Sequence, residues 1–189
     1  MAGQPGTEGT TDGEAKSARF SFPSGVAFDG KGNLYVVDRL TVRRIDTRGI
    51  VTTLAGSPHQ EGSADGTGSA ALFRNPKAIA VDSAGNVYVA DDGNKNIRKI
   101  TPGGVVKTLR GVHDESPFNG PVAVAVDDKG WIYVADENAF NIVVGKPPSK
   151  VSVERGMTLL VTFLSDHGRS LRSFQASVAF PSGSMVAVI

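Results

Sequence analysis

Three aspartates recur at the same place in a repeated sequence pattern, each at the end of a short apolar stretch: Asp38, Asp91 and Asp136. Carboxylates gathered at one edge of a fold could hold a cation such as Ca²⁺ or a basic ligand, because hard cations prefer oxygen ligands. A strand-end aspartate can instead accept hydrogen bonds from the backbone of its own turn. We favour this structural interpretation and predict no metal ion and no cofactor.

The other reactive side chains lack the spacing of a catalytic or metal centre. His59, His113 and His167 form no H-x-x-E, H-E-x-x-H or paired pattern. The serines beside glycine have no G-x-S-x-G context, so no nucleophile elbow is predicted. The chain has no cysteine, which excludes disulfides, thiolate metal sites and cysteine nucleophiles.

Two basic pairs, Arg43-Arg44 and Arg98-Lys99, lie at matching positions of the repeat and could form a strip that binds phosphates. One member of each pair should face water if the strands alternate, so we interpret the strip as solvated surface. The formal net charge of the 189-residue chain is +1, so no overall field favours nucleic acid or an anionic membrane.

The repeat that positions these residues appears when the chain is aligned with itself. Pro23, Pro76 and Pro121 correspond, with spacings of 53 and 45 residues, which is the range of blade or solenoid repeats. Each block holds an apolar run, an Asp-x-x-Gly turn and a second apolar run, which together predict a β-hairpin. Alternating outer strands follow in the first two blocks. Four antiparallel strands per unit predict a propeller blade.

The repeat resembles the NHL family over residues 2–145. The shared elements are T-L-A-G, G-x-x-D-G, and the run I-A-V-D-x-x-G-N-x-Y-V-A-D with I-R-K-I after it, which the second block matches almost throughout. The resemblance implies an all-β fold: a partial β-propeller of three four-stranded antiparallel blades, at about residues 20–56, 73–111 and 118–145, followed by a short β-rich tail. Such propellers close four to eight blades into a ring, most often six.

The sequence predicts two parts, a propeller segment at 1–146 and a tail at 147–189. The stretch Leu159–Asp166, followed by Phe174–Ala176, resembles the last third of a CUB domain. The alternative is an apolar hairpin that completes the third blade or covers an open edge. Three blades leave two blade faces open, so closure needs further blades from the same gene product or a second copy.

The loops after the repeated aspartates should lie on one rim, because blades radiate from a common axis. They share their first residue and differ at their tips, as expected of a constant turn former with variable recognition residues. Phe140 would supply an aromatic anchor. The bland alternative is that the tips differ because nothing binds them. The predicted binding residues are Asp38, Arg39, Asp91, Asp92, Asn94, Asp136, Glu137, Asn138 and Phe140.

Two function classes follow. The first is a non-catalytic scaffold that binds a protein, peptide or glycan through the rim loops, and it is the one we favour. The second is a metal-dependent lactonase or lyase of the kind found on similar propellers. Such an enzyme would need several converging metal ligands. The first residues show neither a signal peptide nor a membrane span, so the compartment stays open, and an extracellular site would suit a fragment of a larger protein.

Overall fold

The computed structural model describes residues 2–109, 117–145, 159–161 and 174–176. The chain divides into two compact units, Met1–Pro147 and Pro148–Ile189. The first unit contains three antiparallel sheets, and the second contains one sheet of two strands. Within the described residues, no helix has the length and apolar character needed to cross a bilayer. The all-β prediction is confirmed.

The first sheet, blade one, has the strand order β1-β5-β4-β3-β2. Its strands are β1 (Gly13–Glu14), β2 (Pro23–Phe28), β3 (Leu34–Asp38), β4 (Thr41–Ile45) and β5 (Ile50–Gly56). β2 to β5 form an up-and-down meander, as the alternating sequence predicts. β1 pairs with the outer strand β5 and so covers part of the edge of the sheet.

The second sheet, blade two, repeats this arrangement in the order β6-β10-β9-β8-β7. Its strands are β6 (Gly66–Thr67), β7 (Pro76–Val81), β8 (Val87–Asp91), β9 (Asn96–Ile100) and β10 (Val105–Leu109). Short 3-10 helices at Gly68–Ala70 and Asp92–Asn94 lie in its connections.

The third sheet, blade three, consists of β11 (Pro121–Val126), β12 (Ile132–Asp136) and β13 (Asn141–Gly145). The four-stranded meander that the sequence predicts is present in blades one and two. Blades one and two add a two-residue fifth strand, and blade three has three strands among the described residues. The fifth strand begins at the last glycine of the G-x-x-D-G segment, whose aspartate accepts a hydrogen bond from a backbone N–H of the outer strand.

The tail strands β14 (Leu159–Val161) and β15 (Phe174–Ala176) pair with each other. The rest of the predicted CUB-like stretch lies outside the described residues. The CUB resemblance and its alternative stay predictions.

The first hairpin of each blade is built as its sequence predicts. In blade two, Asp82 accepts hydrogen bonds from the Asn86 backbone and side chain, both at 2.8 Å, and from the Tyr88 hydroxyl at 3.0 Å. Burial by itself raises the pKa of the Asp82 carboxyl, but these bonds outweigh it and hold the pKa below its usual value. Gly85 completes the turn at φ 86°. The prediction that Asp29, Asp82 and Asp127 form turns is confirmed.

The core lies between blades, because each sheet packs its flat face on the next. β7 lies against both β2 and β11. One apolar cluster joins blade one to blade two and includes Tyr35, Val42 and Ile79. A second joins blade two to blade three and includes Tyr88 and Val134. Equivalent side chains of the repeat therefore take equivalent places in successive interfaces.

Candidate functional site

The predicted rim loops connect the second and third strands of each blade. The connection is Arg39-Leu40 in blade one, 92–95 in blade two and 137–140 in blade three. Each loop starts directly after one of the repeated aspartates, and all three aspartates are buried.

The buried aspartates hold the chain where it enters the first strand of their own blade. Asp38 accepts from the backbone N–H groups of Ser21 and Phe22, both at 2.8 Å. Asp91 accepts from the N–H of Arg74 at 2.8 Å. Each bond spans 16 or 17 residues of chain and fixes the end of the innermost hairpin.

In blade three, Asp136 accepts from Asn119 at 2.6 Å, from Gly120 at 2.9 Å and from Ala139 in its own loop at 3.0 Å. The three aspartates therefore accept backbone hydrogen bonds, as the structural interpretation predicts. Most of the donors, however, lie in the segment that leads into the first strand of the blade and not in the turn that follows the aspartate. The reason is that this segment and the loop meet only in the folded blade.

Two buried arginines complete these clusters in blades one and two. Arg98 Nη1 lies 3.0 Å from Asp91 Oδ2, and its Nη2 lies 3.0 Å from Asp65 Oδ1. Arg43 makes the same pair of contacts in blade one, with Asp38 at 3.2 Å and Asp12 at 2.6 Å.

Each arginine also lies over an aromatic ring. The Arg43 guanidinium is 5.2 Å from the centroid of Phe20, and that of Arg98 is 5.2 Å from Phe73. As expected from the alternation, one member of each basic pair, Arg44 and Lys99, is partly exposed, whereas the other member is buried and forms no solvated strip. The missed signal is in the sequence: the arginine and the G-x-x-D-G aspartate occur together in the first two repeats and are both absent from the third.

Burial and ion pairing oppose each other in the blade-two cluster. Burial raises the pKa of Asp91, and hydrogen bonds from Asn94, Arg74 and Arg98 offset this only in part. Burial also acts to raise the pKa of Asp65, but bonds from Thr108 and Arg98 outweigh it and lower the pKa. The carboxylates of Asp65 and Asp91 are thus bonded to Arg98 and to backbone N–H groups of their own blade, so the cluster stabilises the fold.

The other predicted residues lie nearer the surface. Asn94 is half-buried and donates to the Gly62 carbonyl at 2.7 Å and to Asp91 at 2.8 Å. Asp92, also half-buried, accepts from Asn75 at 2.9 Å and pairs with Lys77 at 3.1 Å. The exposed members are Arg39, Glu137, Asn138 and Phe140.

The loops of blades two and three meet at Asn119. Lys95 Nζ donates to Asn119 Oδ1 at 2.9 Å, and Asn138 Nδ2 donates to the Asn119 carbonyl at 3.3 Å. The Glu137 N–H donates to the neighbouring Gly120 carbonyl at 2.9 Å. The two loops therefore form one continuous surface.

Phe140 is the most distinctive residue of this surface. It occupies the left-handed region at φ 55°, and its side chain is 94% exposed. Lys95 holds the equivalent place in blade two, at φ 57°. Arg39 in the blade-one loop also lies in this region, at φ 55°, so the conformation recurs in the repeat and it is the exposed ring that distinguishes Phe140.

No three histidine or acidic side chains converge to form a metal site within the described part of the chain. His59 is exposed, and His113 and His167 lie outside that part.

Comparison with known families identifies the repeat. The family model described as Teneurin NHL domain matches residues 5–65, and the NHL repeat model matches residues 73–100. None of the curated proteins compared with the chain matches it.

Several solved structures share the fold. An auxiliary nutrient binding protein from Bacteroides thetaiotaomicron has a TM-score of 0.58 at 21% identity, over 69% of this chain and 38% of its own. A protein of unknown function from the same organism has a TM-score of 0.52 at 28% identity, over 60% of this chain and 33% of its own. A streptogramin B lyase has a TM-score of 0.51 at 14% identity, over 88% of this chain and 58% of its own. The chain thus spans between a third and three fifths of these structures.

Proposed function

Because this chain is a segment of an NHL-repeat β-propeller, we propose that it is a non-catalytic recognition scaffold that binds a protein, peptide or glycan through its rim loops. The observation that carries the proposal is the exposed Phe140 at the tip of the blade-three loop. Large aromatic side chains dominate the binding energy of interfaces, since they bury much apolar area and lose little conformational entropy.

The loop around Phe140 is held in place before any ligand arrives. Asp136 is buried and bonded to the Ala139 N–H, and the Glu137 N–H is bonded to Gly120. A loop with a fixed backbone has less entropy to lose on binding. The exposed Glu137 and Asn138 belong to the same loop and supply polar groups that a peptide or a sugar could bond.

The blade-two loop extends this surface with groups of a different kind. Asp92 is bonded to Asn75 and Lys77, and Lys95 reaches across to Asn119. Most polar groups of this loop are therefore bonded within the protein and fix the conformation of the rim. We assign the direct ligand contacts to the tip of the blade-three loop.

The alternative class, a metal-dependent lactonase or lyase, needs several Glu, Asp, Asn or His ligands that converge near the axis. The three aspartates that repeat between blades are each buried and hydrogen-bonded within the fold. The nutrient binding and lyase structures share only the fold with this chain, so the choice between classes depends on the residues themselves.

The test uses the purified chain as a probe of a glycan array and of a displayed peptide library. Ligands found in this way are measured again with Phe140→Asn, which tolerates the left-handed backbone. We expect affinity to fall by at least about tenfold, the loss typical of an interface anchor. Val105→Asn, which changes an exposed valine on β10, is the matched control and should bind as the wild type does.

Retained binding by Phe140→Asn, or an equal loss in both variants, would contradict the assignment of the rim. The absence of any ligand, together with metal-dependent hydrolysis of a lactone panel, would favour the enzyme.

A further inference from the structure

The rim loops of blades two and three begin with an acidic residue at the same place. Asp92 and Glu137 each follow the buried aspartate that ends the second strand of the blade. In blade two this acid is neutralised within the protein, because Asp92 Oδ2 lies 3.1 Å from Lys77 Nζ and accepts a hydrogen bond from Asn75 Nδ2 at 2.9 Å. The Asp92 side chain is only 18% exposed, so most of it is withdrawn from solvent.

Blade three keeps the acid but has neither of these partners. In the repeat, Gly120 takes the place of Asn75, and Val122 takes the place of Lys77. Val122 and Lys77 both lie at the bulge near the start of the innermost strand, so their positions correspond in the structure as well. Glu137 is exposed, and its carboxylate has no ion pair or hydrogen bond within the described residues. This carboxylate is therefore available to a cation from outside the protein.

Glu137 shares its turn with an exposed aromatic ring. Residues 137–140 connect β12 to β13, and the last residue pair of these strands closes the turn. The final residue of the turn is Phe140, which is 94% exposed and takes the place of Lys95 in blade two. The blade-three tip thus combines a carboxylate with an aromatic ring and contains no basic residue.

The protein itself binds arginine with these two kinds of group. The guanidinium of Arg98 lies 5.2 Å from the centroid of the Phe73 ring and 3.0 Å from a carboxylate oxygen of Asp65. Arg43 repeats this arrangement in blade one. A guanidinium is planar and more weakly hydrated than an ammonium group, so it can stack on an aromatic ring while its N–H groups bond a carboxylate.

We propose that the tip of the blade-three loop selects a basic side chain, above all arginine, in a peptide segment of a partner protein. The inference rests on the proposed function and narrows its ligand class. The cation stacks on Phe140 and pairs with Glu137, as Lys77 pairs with Asp92 inside blade two. A neutral glycan would use the ring but not the charge, so the peptide is favoured over the glycan.

The experiment selects binders of the purified chain from a displayed library of random linear peptides. The recovered peptides should be enriched in arginine relative to the unselected library. Their binding should weaken as the salt concentration rises from about 0.01 M to about 1 M, because exposed charges are screened.

Glu137→Gln keeps the shape of the side chain and removes its charge. The affinity of the recovered peptides should therefore fall by about twofold to fivefold, the range expected for an exposed ion pair. Asp128→Asn is the matched control, because it removes a charge from the exposed turn at the other end of β12. This control should bind the peptides as the wild type does.

A second pair of variants tests the comparison between the blades. Val122→Lys introduces into blade three the cation that neutralises Asp92 in blade two. The introduced amine should pair with Glu137 and lower the arginine enrichment without any change in the loop. Glu137→Lys should reverse the preference and select acidic peptides. Thermal melts that match the wild type show that each variant is folded.

The outcomes separate this inference from the proposed function. Peptides without arginine enrichment, or equal binding by Glu137→Gln and the wild type, would overturn the inference. If such peptides still lose affinity for Phe140→Asn, the recognition function stands and only the ligand class is wrong. Recovery of glycans alone has the same meaning. Binding that does not depend on Phe140, or the absence of any ligand, would overturn both.

Discussion

Blades two and three share the same hairpin sequence but differ in how deeply it is buried. Tyr88 in blade two is 1% exposed, and Tyr133 at the same position in blade three is 39% exposed. Both tyrosines bond the aspartate of their own turn. The hairpin therefore forms locally, while its burial depends on the next blade in the array.

The same two blades differ in the contacts that their second-strand aspartates make. Arg98 links Asp91 to Asp65 in blade two, whereas Val143 occupies the equivalent position in blade three. Asp136 has only backbone partners among its described bonds. In blade two, ion pairs therefore link the end of β8 to the G-x-x-D-G segment at the outer edge of the sheet. In blade three, hydrogen bonds link the end of β12 to the segment before β11.

The largest expected effect is that of Arg98→Ala. The substitution leaves the buried Asp91 without its cation and should lower the free energy of unfolding by about 3–5 kcal/mol, the range for one-sided removal of a buried ion pair. Val143→Ala at the equivalent position should cost about 1 kcal/mol. Urea unfolding measures both free energies. Similar losses of about 1 kcal/mol in the two variants would show that the Arg98 ion pairs contribute no extra stability.

A smaller contrast is expected between Tyr88→Ala and Tyr133→Ala. Removing the fully buried ring should cost about 3–5 kcal/mol, whereas removing the half-exposed one should cost about 1–2 kcal/mol. Equal costs in denaturant titrations would contradict the difference in burial between the two rings.

The smallest effect concerns pH. Because the pKa of Asp82 is lowered in the folded state, its contribution to stability is present above the unfolded value of about 3.9 and is lost as the pH falls through the folded value. Asp82→Asn should therefore differ most from the wild type near neutral pH. The difference should shrink as the pH falls from the unfolded value of about 3.9 through the lowered folded value, below which both variants carry a neutral group. Thermal melts across pH 2–7 measure this window, about that of carboxyl titration, and a constant difference would contradict the assignment.

Local chemistry made part of this structure predictable. The turns at Asp29, Asp82 and Asp127 depend on residues within six positions of each aspartate, so the sequence alone identifies them. The strand order of each meander follows from short connections in the same way.

The role of Arg98 could not be read in this way. Its partners Asp65 and Asp91 lie 33 and 7 residues away, on segments that meet only when the outer strand closes. Alternation along β9 predicts that one basic residue of the pair turns inward, but it does not supply the carboxylates that make such burial favourable. The two-residue strands β1 and β6 were missed for the same reason.

The sequence by itself determined the repeat, the blade hairpins and the positions of the loops, because these depend on contacts between near neighbours in the chain. Only the tertiary structure decided which groups bond the three repeated aspartates and which loop residues are exposed. These properties arise where distant segments meet, as at Asn119, where the loops of two blades join.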